Sequence, residues 1–81
     1  MKLSLYSIMK KLSELHIGDS GTIHSFENED IFLKLMEMGI IPGEKIVIEK
    51  IAPLGDPISV KVAGYHLSLR MNEADKVIVE L

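Results

Sequence analysis

A loop with two prolines constrains this chain more than any other stretch, because it separates the two most strand-like segments. It runs from Ala52 to Ile58 with the sequence Ala-Pro-Leu-Gly-Asp-Pro-Ile. Pro53 and Pro57 have no backbone N–H to give to a sheet, and each favours extended backbone in the residue before it. Gly55-Asp56 supplies typical turn residues between the prolines. The flanking segments are therefore expected to be separate strands joined by a preset turn.

Leu54 is the unusual member of this loop, since an apolar side chain stands where turns commonly carry a polar one. Two interpretations follow from its chemistry. Leu54 either packs into the core or stays exposed as the contact for a partner protein, and loops often carry binding residues. The sequence leaves both interpretations open.

Alternating apolar and polar residues predict a mainly β protein around this loop. Together with the turn signals, they indicate a small five-stranded β-barrel. The strand at 58–62 and the strand at 65–71 form a hairpin through Ala63-Gly64. The other three predicted strands cover residues 22–26, 44–51 and 76–81.

One short helix and one helical turn interrupt the predicted strands. Apolar residues recur at helical spacing over 31–38, and Gly39 stands where a left-handed C-terminal cap is expected. Pro42 and Gly43 fill the second and third positions of a type II turn. Asn72 predicts the start of a single helical turn before the last strand.

Composition and charge narrow the class of protein. The 81 residues fit one domain, and the 47% of hydrophobic residues, few of them aromatic, predict an aliphatic core. The absence of cysteine excludes disulfides, a thiolate nucleophile and cysteine-bound zinc, and it is typical of the reducing cytoplasm. A net charge of -3 disfavours nucleic acid as a partner. Neither a secretory signal nor a membrane-inserting segment is recognisable, so we expect a cytoplasmic protein. Self-association stays open.

The first eleven residues are the segment whose structure the pattern leaves open. Leu5, Ile8, Met9 and Leu12 recur at helical spacing, but the alternation around Tyr6 fits an extended arm equally well. We therefore place a leader of uncertain structure at 1–11 and the folded domain at 12–81.

Several short motifs together resemble one family. Each motif is short, but their joint order and spacing are specific. They are Leu12, Leu15, Gly18 and Gly21, then Met38-Gly39-Ile40-Ile41-Pro42-Gly43, Ala52-Pro53-Leu54-Gly55-Asp56-Pro57, Leu67-Ser68-Leu69-Arg70 and Glu73-Ala74. With these residues, the chain from Leu12 to Leu81 resembles ferrous iron transport protein A, the FeoA-like family.

This resemblance implies an SH3-like β-barrel and a small cytoplasmic accessory protein of bacterial ferrous iron uptake. It implies a protein-binding module that acts on the iron permease, at its cytosolic GTP-binding part. The nearest alternative is a metal-sensing or regulatory domain, since the C-terminal domain of iron-dependent repressors has the same fold. The chain departs from the family pattern at Leu33-Lys34-Leu35, where relatives often carry an extra Arg, and in the leader, which precedes the family core.

The residue types do not predict an enzyme. The sequence has no Gly-rich phosphate loop and no Glu/His pairing on the predicted helix. We expect no cofactor. His16, His24 and His66 fall on a turn segment and two different strands without the paired spacing of ligands, so no metal ligand is assigned.

The predicted site is a surface for a partner protein. It joins the proline loop to the end of the helix as an apolar patch with a charged rim. Core packing is the favoured alternative for Met36. Arg70, the only arginine, is either an arginine finger for a GTPase partner or, the interpretation we favour, a strand residue in an outward salt bridge. The patch comprises Leu54, Met36, Ile40 and Ile41, rimmed by Asp56, Lys34 and Arg70.

Overall fold

The computed structural model describes residues 8–81, which form six strands and two short helices. The elements are β1 (Met9–Lys11), a 3₁₀ turn (Leu12–Glu14), β2 (Ser20–Phe26), α1 (Glu29–Glu37), β3 (Lys45–Ile51), β4 (Ile58–Val62), β5 (Tyr65–Leu69), α2 (Met71–Ala74) and β6 (Val77–Glu80). The predicted class, mainly β with short helices, is confirmed. Within the described part of the chain, no helix has the length and apolar character needed to cross a membrane.

All six strands belong to one sheet in the order β1-β6-β2-β3-β4-β5, and neighbouring strands are antiparallel. The edge strands β1 and β5 do not pair, so the sheet is not closed. The prediction of five strands is wrong, because β1 adds a sixth. It pairs with β6 from Met9↔Glu80 to Lys11↔Ile78, inside the segment that we set apart as a leader. The rest of that segment, 1–7, lies outside the described residues.

The core between the sheet and the helices is aliphatic, as predicted. Inward positions alternate along β4, where Ile58, Val60 and Val62 are buried. The Ala63-Gly64 turn carries the chain into β5, whose Leu69 is also buried. Burial at every second residue is what fixes the register of a half-covered strand. The remaining buried apolar residues are Leu12, Leu15, Ile23, Leu35, Ile40, Ile46, Ile48, Ala74, Val77 and Val79.

Both ends of α1 have defined caps. At the start, the Asn28 side chain accepts a hydrogen bond from the Ile31 amide at 3.2 Å, so the helix begins two residues before the predicted start. At the end, the Ile40 amide donates to the Leu35 carbonyl at 2.9 Å and the Gly39 amide donates to the Met36 carbonyl at 3.0 Å. This pair of bonds is the Schellman motif, in which Gly39 takes a φ of 99°.

Replacing Gly39 by Val should lower the free energy of unfolding by about 1–2 kcal/mol, because a side chain with a β-carbon is strained in the left-handed region. A β-carbon at Gly39 would meet no atom within 4 Å, so the cost is conformational rather than steric. Gly39→Asn is the matched control, since Asn tolerates this conformation and should lose less. Urea unfolding curves measure both variants. Equal stability of Gly39→Val and the wild type would contradict this explanation.

The start of α2 differs from the prediction. We expected Asn72 to cap this turn, but the cap position is occupied by Arg70, whose amide donates to the Glu73 carboxylate at 3.0 Å. The carboxylate three residues into the helix thus satisfies a backbone N–H that has no helical partner. The Pro42-Gly43 turn is as predicted, with Gly43 at φ 94° and the Glu44 amide donating to the Ile41 carbonyl at 3.1 Å.

Candidate functional site

The loop between β3 and β4, residues 52–57, is closed by its own backbone, and we call it the Leu54 loop. The Ala52 amide donates to the Pro57 carbonyl at 3.0 Å, and the Gly55 amide donates to the Ala52 carbonyl at 2.7 Å. The second bond centres the turn on Pro53 and Leu54, not on Gly55-Asp56 as predicted. Pro suits the first central position of such a turn because its φ is already fixed there. The Asp56–Pro57 peptide bond is cis.

Leu54 lies at the tip of this turn and is 97% exposed. The interpretation of Leu54 as a core residue is therefore wrong. Its burial elsewhere would be favourable, because removing a leucine side chain from water is worth roughly 1.5–3 kcal/mol. An apolar side chain presented on a loop with fixed ends is what a contact for another protein requires.

Asp56 ties the Leu54 loop to α2. Its carboxylate accepts a hydrogen bond from the Met71 amide at 3.1 Å. Arg70 is the residue before Met71 and is exposed. It forms no salt bridge among residues 8–81, although its positive charge helps to lower the pKa of the Glu73 carboxyl. The favoured interpretation of Arg70 as a strand residue in a salt bridge is wrong, because β5 ends at Leu69 and Arg70 is the cap position of α2, and the arginine finger stays a prediction.

Lys34 reaches the same short helix from α1. Its ammonium lies 2.6 Å from the Glu73 carboxylate, which is only 8% exposed as a residue. The hydrogen bond from Lys34, followed by that from the Arg70 amide, holds the pKa of the Glu73 carboxyl below its usual value, although partial burial acts in the opposite direction. Glu73 thus joins α1 to the cap of α2 as a carboxylate.

Glu73→Gln should remove a stabilisation that depends on pH. Because the folded state lowers the pKa of Glu73, its contribution is full above the ordinary value of 4.5 and is lost as pH falls through the lowered pKa. The wild type should exceed Glu73→Gln by up to about 1 kcal/mol at neutral pH, a small figure because Lys34 is exposed. Urea unfolding of both proteins at several pH values measures the difference. Glu37→Gln, on the exposed side of α1, is the control. A difference that grew on acidification would contradict the assignment.

The end of α1 contributes less to the surface than predicted. Ile40 is 0% exposed, so its assignment to the partner-binding patch is wrong. The physical reason is the Schellman motif, in which the residue after the capping glycine packs against the last helical turn, here the buried Leu35. Ile41, the next residue, is 40% exposed, and Met36 is half-buried.

The structure brings the three charged rim residues together, but around α2 rather than around the helix end. Asp56 bonds the amide of Met71, Arg70 occupies the cap position, and Lys34 pairs with Glu73. Leu54 lies two residues before Asp56 in the same loop. The place of Met36 and Ile41 in a partner-binding patch stays a prediction.

Sequence reasoning missed Glu73, the residue that connects this group. A signal for it was present: Glu73 stands three residues after the cap position, the spacing at which a carboxylate reaches back to the cap amide. Its pairing with Lys34 had no such signal, because the two residues are far apart in sequence. Only the fold places them in contact.

The three histidines lie in separate places. His16 is 3.6 Å from Asp19, the His24 ring contacts the Ser25 hydroxyl at 2.9 Å, and His66 Nδ1 lies 2.7 Å from the Glu49 carboxylate. In the part of the chain that the structure covers, no three His, Asp or Glu side chains come together as metal ligands would. The metal-sensing alternative stays a prediction.

Comparison with known proteins identifies the class and then the family. The fold is that of a small SH3-like domain: a FeoA of Stenotrophomonas maltophilia, solved with zinc and described as a prokaryotic SH3 domain protein, has 33% identity and a TM-score of 0.71 over 84% of this chain and 86% of that chain. The FeoA domain model matches residues 10–81. The chain belongs to the FeoA domain family.

Two further relatives agree with this membership. A FeoA-like protein of Clostridium acetobutylicum has 39% identity and a TM-score of 0.85, over 90% of this chain and 86% of that one. The Fe(2+) transport protein A/Fe(2+) transporter FeoB fusion protein of Porphyromonas gingivalis is 42% identical over 88% of this chain. This chain spans 8% of the length of that fusion protein. A manganese-dependent transcriptional repressor, with 18% identity and a TM-score of 0.78, shares the fold alone.

Proposed function

We propose that this chain is a cytoplasmic accessory protein of bacterial ferrous iron uptake. It acts as a binding module, not as an enzyme, on the cytosolic GTP-binding part of the iron permease. Its family membership and the relative in which a homologous domain is fused to the transporter FeoB support this proposal. When two proteins act together as separate chains, some relatives are expected to carry them fused in one chain.

The observation that carries the binding role is the exposure of Leu54. At 97% exposure, Leu54 is the most exposed large apolar side chain in the described part of the chain, so almost all of its surface is free to contact another protein. The two backbone bonds of the loop and the Asp56–Met71 bond hold the turn in one shape before any partner arrives. Such preorganisation reduces the entropy lost on binding.

Charged residues lie on one side of Leu54. Lys34, Arg70 and Asp56 converge on α2 next to the Leu54 loop, and such a rim fixes the orientation of a partner more than it adds affinity. We assign Leu54 as the apolar anchor and these three residues as its rim. Met36 and Ile41 belong to the same binding surface at its outer edge.

Calorimetric titration of the isolated GTP-binding domain of the permease with this chain tests the proposal. The expected result is saturable binding of one chain per domain. Titration in buffers with GDP and with a non-hydrolysable GTP analogue measures whether the nucleotide alters affinity. Absence of binding in both nucleotide states would contradict the proposed function.

A further inference from the structure

A second apolar surface lies at the corner between β2 and α1, and none of its lining residues belongs to the Leu54 loop. Phe26 at the end of β2 and Phe32 of α1 meet edge to face, with ring centroids 5.5 Å apart. Phe32 is 38% exposed, and Leu33 beside it is 68% exposed. Pro42 completes the wall of a groove of about 380 Å³ over these rings. We call this surface the acidic groove, for the charges along its rim.

The rim carries carboxylates without partners of opposite charge. Glu27 and Glu29 line the groove, and Asp30 lines an adjoining depression that shares Glu29 and Phe32 with it and also contains Leu33. All three carboxylates are exposed and take part in none of the ion pairs formed among residues 8–81. The nearby ammonium groups point elsewhere. Lys34 is held by Glu73 at 2.6 Å, and Lys76 Nζ donates to the Asn72 carbonyl at 3.3 Å.

The dipole of α1 accounts for only part of the negative charge on the rim. Glu29 and Asp30 stand in the first turn of α1, where carboxylates favourably face the positive end of the helix dipole. That effect does not extend to Glu27, which precedes the Asn28 cap. It also does not explain why an aromatic pair and an exposed leucine lie between these charges.

We infer that the acidic groove binds a basic, apolar segment of a partner protein. Leucine or aromatic side chains of that segment lie on Phe32 and Leu33, and its Lys or Arg side chains face Glu27, Glu29 and Asp30. Complementary charge favours this occupant, because the rim brings three negative charges and no competing ammonium group. The same charges repel an anionic membrane, and a second copy of this chain has a net charge of -3. The inference is independent of the Leu54 loop.

NMR titration of the ¹⁵N-labelled full chain with a synthetic helix-forming peptide of Leu and Lys, its lysines on one face, tests this inference. The probe is compared with the same peptide carrying Glu in place of Lys. We expect amide shifts at Phe26, Glu29, Phe32 and Leu33 with the Lys peptide, and affinity at least about tenfold lower for the Glu peptide. The affinity for the Lys peptide should fall as salt is raised.

Variants locate the site. Leu33→Ser should weaken binding of the Lys peptide about tenfold or more without loss of fold, since this side chain is mostly exposed. Glu29→Gln combined with Asp30→Asn should reduce affinity and flatten the dependence on salt. Glu44→Gln, an exposed carboxylate outside the groove, and Leu54→Ser, an exposed leucine on the other surface, are matched controls that should leave affinity unchanged.

Several results would overturn the inference. They are equal affinity for the Lys and Glu peptides, shifts confined to another face, and equal affinity of Leu33→Ser and the wild type. Leu33-dependent binding to vesicles of phosphatidylserine, or Leu33-dependent dimerisation without peptide, would assign the groove to another occupant. None of these results bears on binding of the GTP-binding domain through Leu54, so the two proposals fail separately.

Discussion

Ile40→Ala is expected to lower the free energy of unfolding by about 2–5 kcal/mol, the usual cost of truncating a buried isoleucine. Ile40 is 0% exposed and follows the glycine that ends α1, so its side chain fixes the helix against the core. Such a loss is large beside the roughly 5–15 kcal/mol that stabilises a typical domain. Ile40→Val, which leaves a smaller cavity, should cost about 0.5–1.5 kcal/mol and remain folded.

Ile41→Ala is the matched control, since the next residue has the same side chain on the solvent side. At 40% exposure it should cost about 1–2 kcal/mol, less than Ile40→Ala because no enclosed cavity is left. Urea unfolding followed by far-UV circular dichroism measures all three variants, with the slope of the transition compared to that of the wild type. Equal losses for Ile40→Ala and Ile41→Ala would contradict the assignment of Ile40 to the core.

Leu54→Glu is expected to abolish most of the affinity for the GTP-binding domain of the permease and leave the fold intact. A central apolar anchor commonly contributes at least 2 kcal/mol, so the dissociation constant should rise about thirtyfold or more. Stability should change by less than about 0.5 kcal/mol, because Leu54 is 97% exposed and buries nothing in its own chain.

Ile17→Glu provides the control for this substitution. It places the same charge on another exposed apolar side chain, which precedes β2 and belongs to neither proposed surface. Calorimetric titration should give wild-type affinity for Ile17→Glu and a weak or unmeasurable affinity for Leu54→Glu. If both variants lost affinity equally, added negative charge rather than the loop contact would be the cause.

Local signals in the sequence predicted much of the fold. The alternation in 58–62 and 65–71 predicted the β4-β5 hairpin, since burial at every second residue leaves one register, although β5 ends at Leu69. Gly39 marked the end of α1, because few residues tolerate a positive φ. The proline loop was predicted at its observed place between β3 and β4.

Features that depend on distant contacts escaped prediction. β1 has only three residues, all exposed, so no burial pattern marks it, and its pairing with β6 joins opposite ends of the chain. From the sequence, Ile40 was assigned to a turn. In the structure, the Schellman hydrogen bonds place its side chain in the core. The Lys34–Glu73 pair depends on the packing of α1 beside α2.

The sequence predicted which residues belong to the candidate site better than it predicted their arrangement. Leu54, Asp56, Lys34 and Arg70 were chosen from separate stretches of the sequence, and the structure groups the three charged residues around α2. The Ala52–Gly55 bond places Leu54 at the tip of the turn, whereas local turn propensity predicted the centre of the turn two residues later. Because the turn is centred on Pro53 and Leu54, the Leu54 side chain is exposed at its tip.

The most direct test of the central claim is NMR titration of the ¹⁵N-labelled chain with the isolated GTP-binding domain of the permease. The predicted result is a set of shifted or broadened amides at Leu54, Gly55 and Asp56 that continues into Arg70 and Met71 of the attached helix. Saturation should match the calorimetric affinity. Binding that leaves every amide of the Leu54 loop unchanged would contradict the claim.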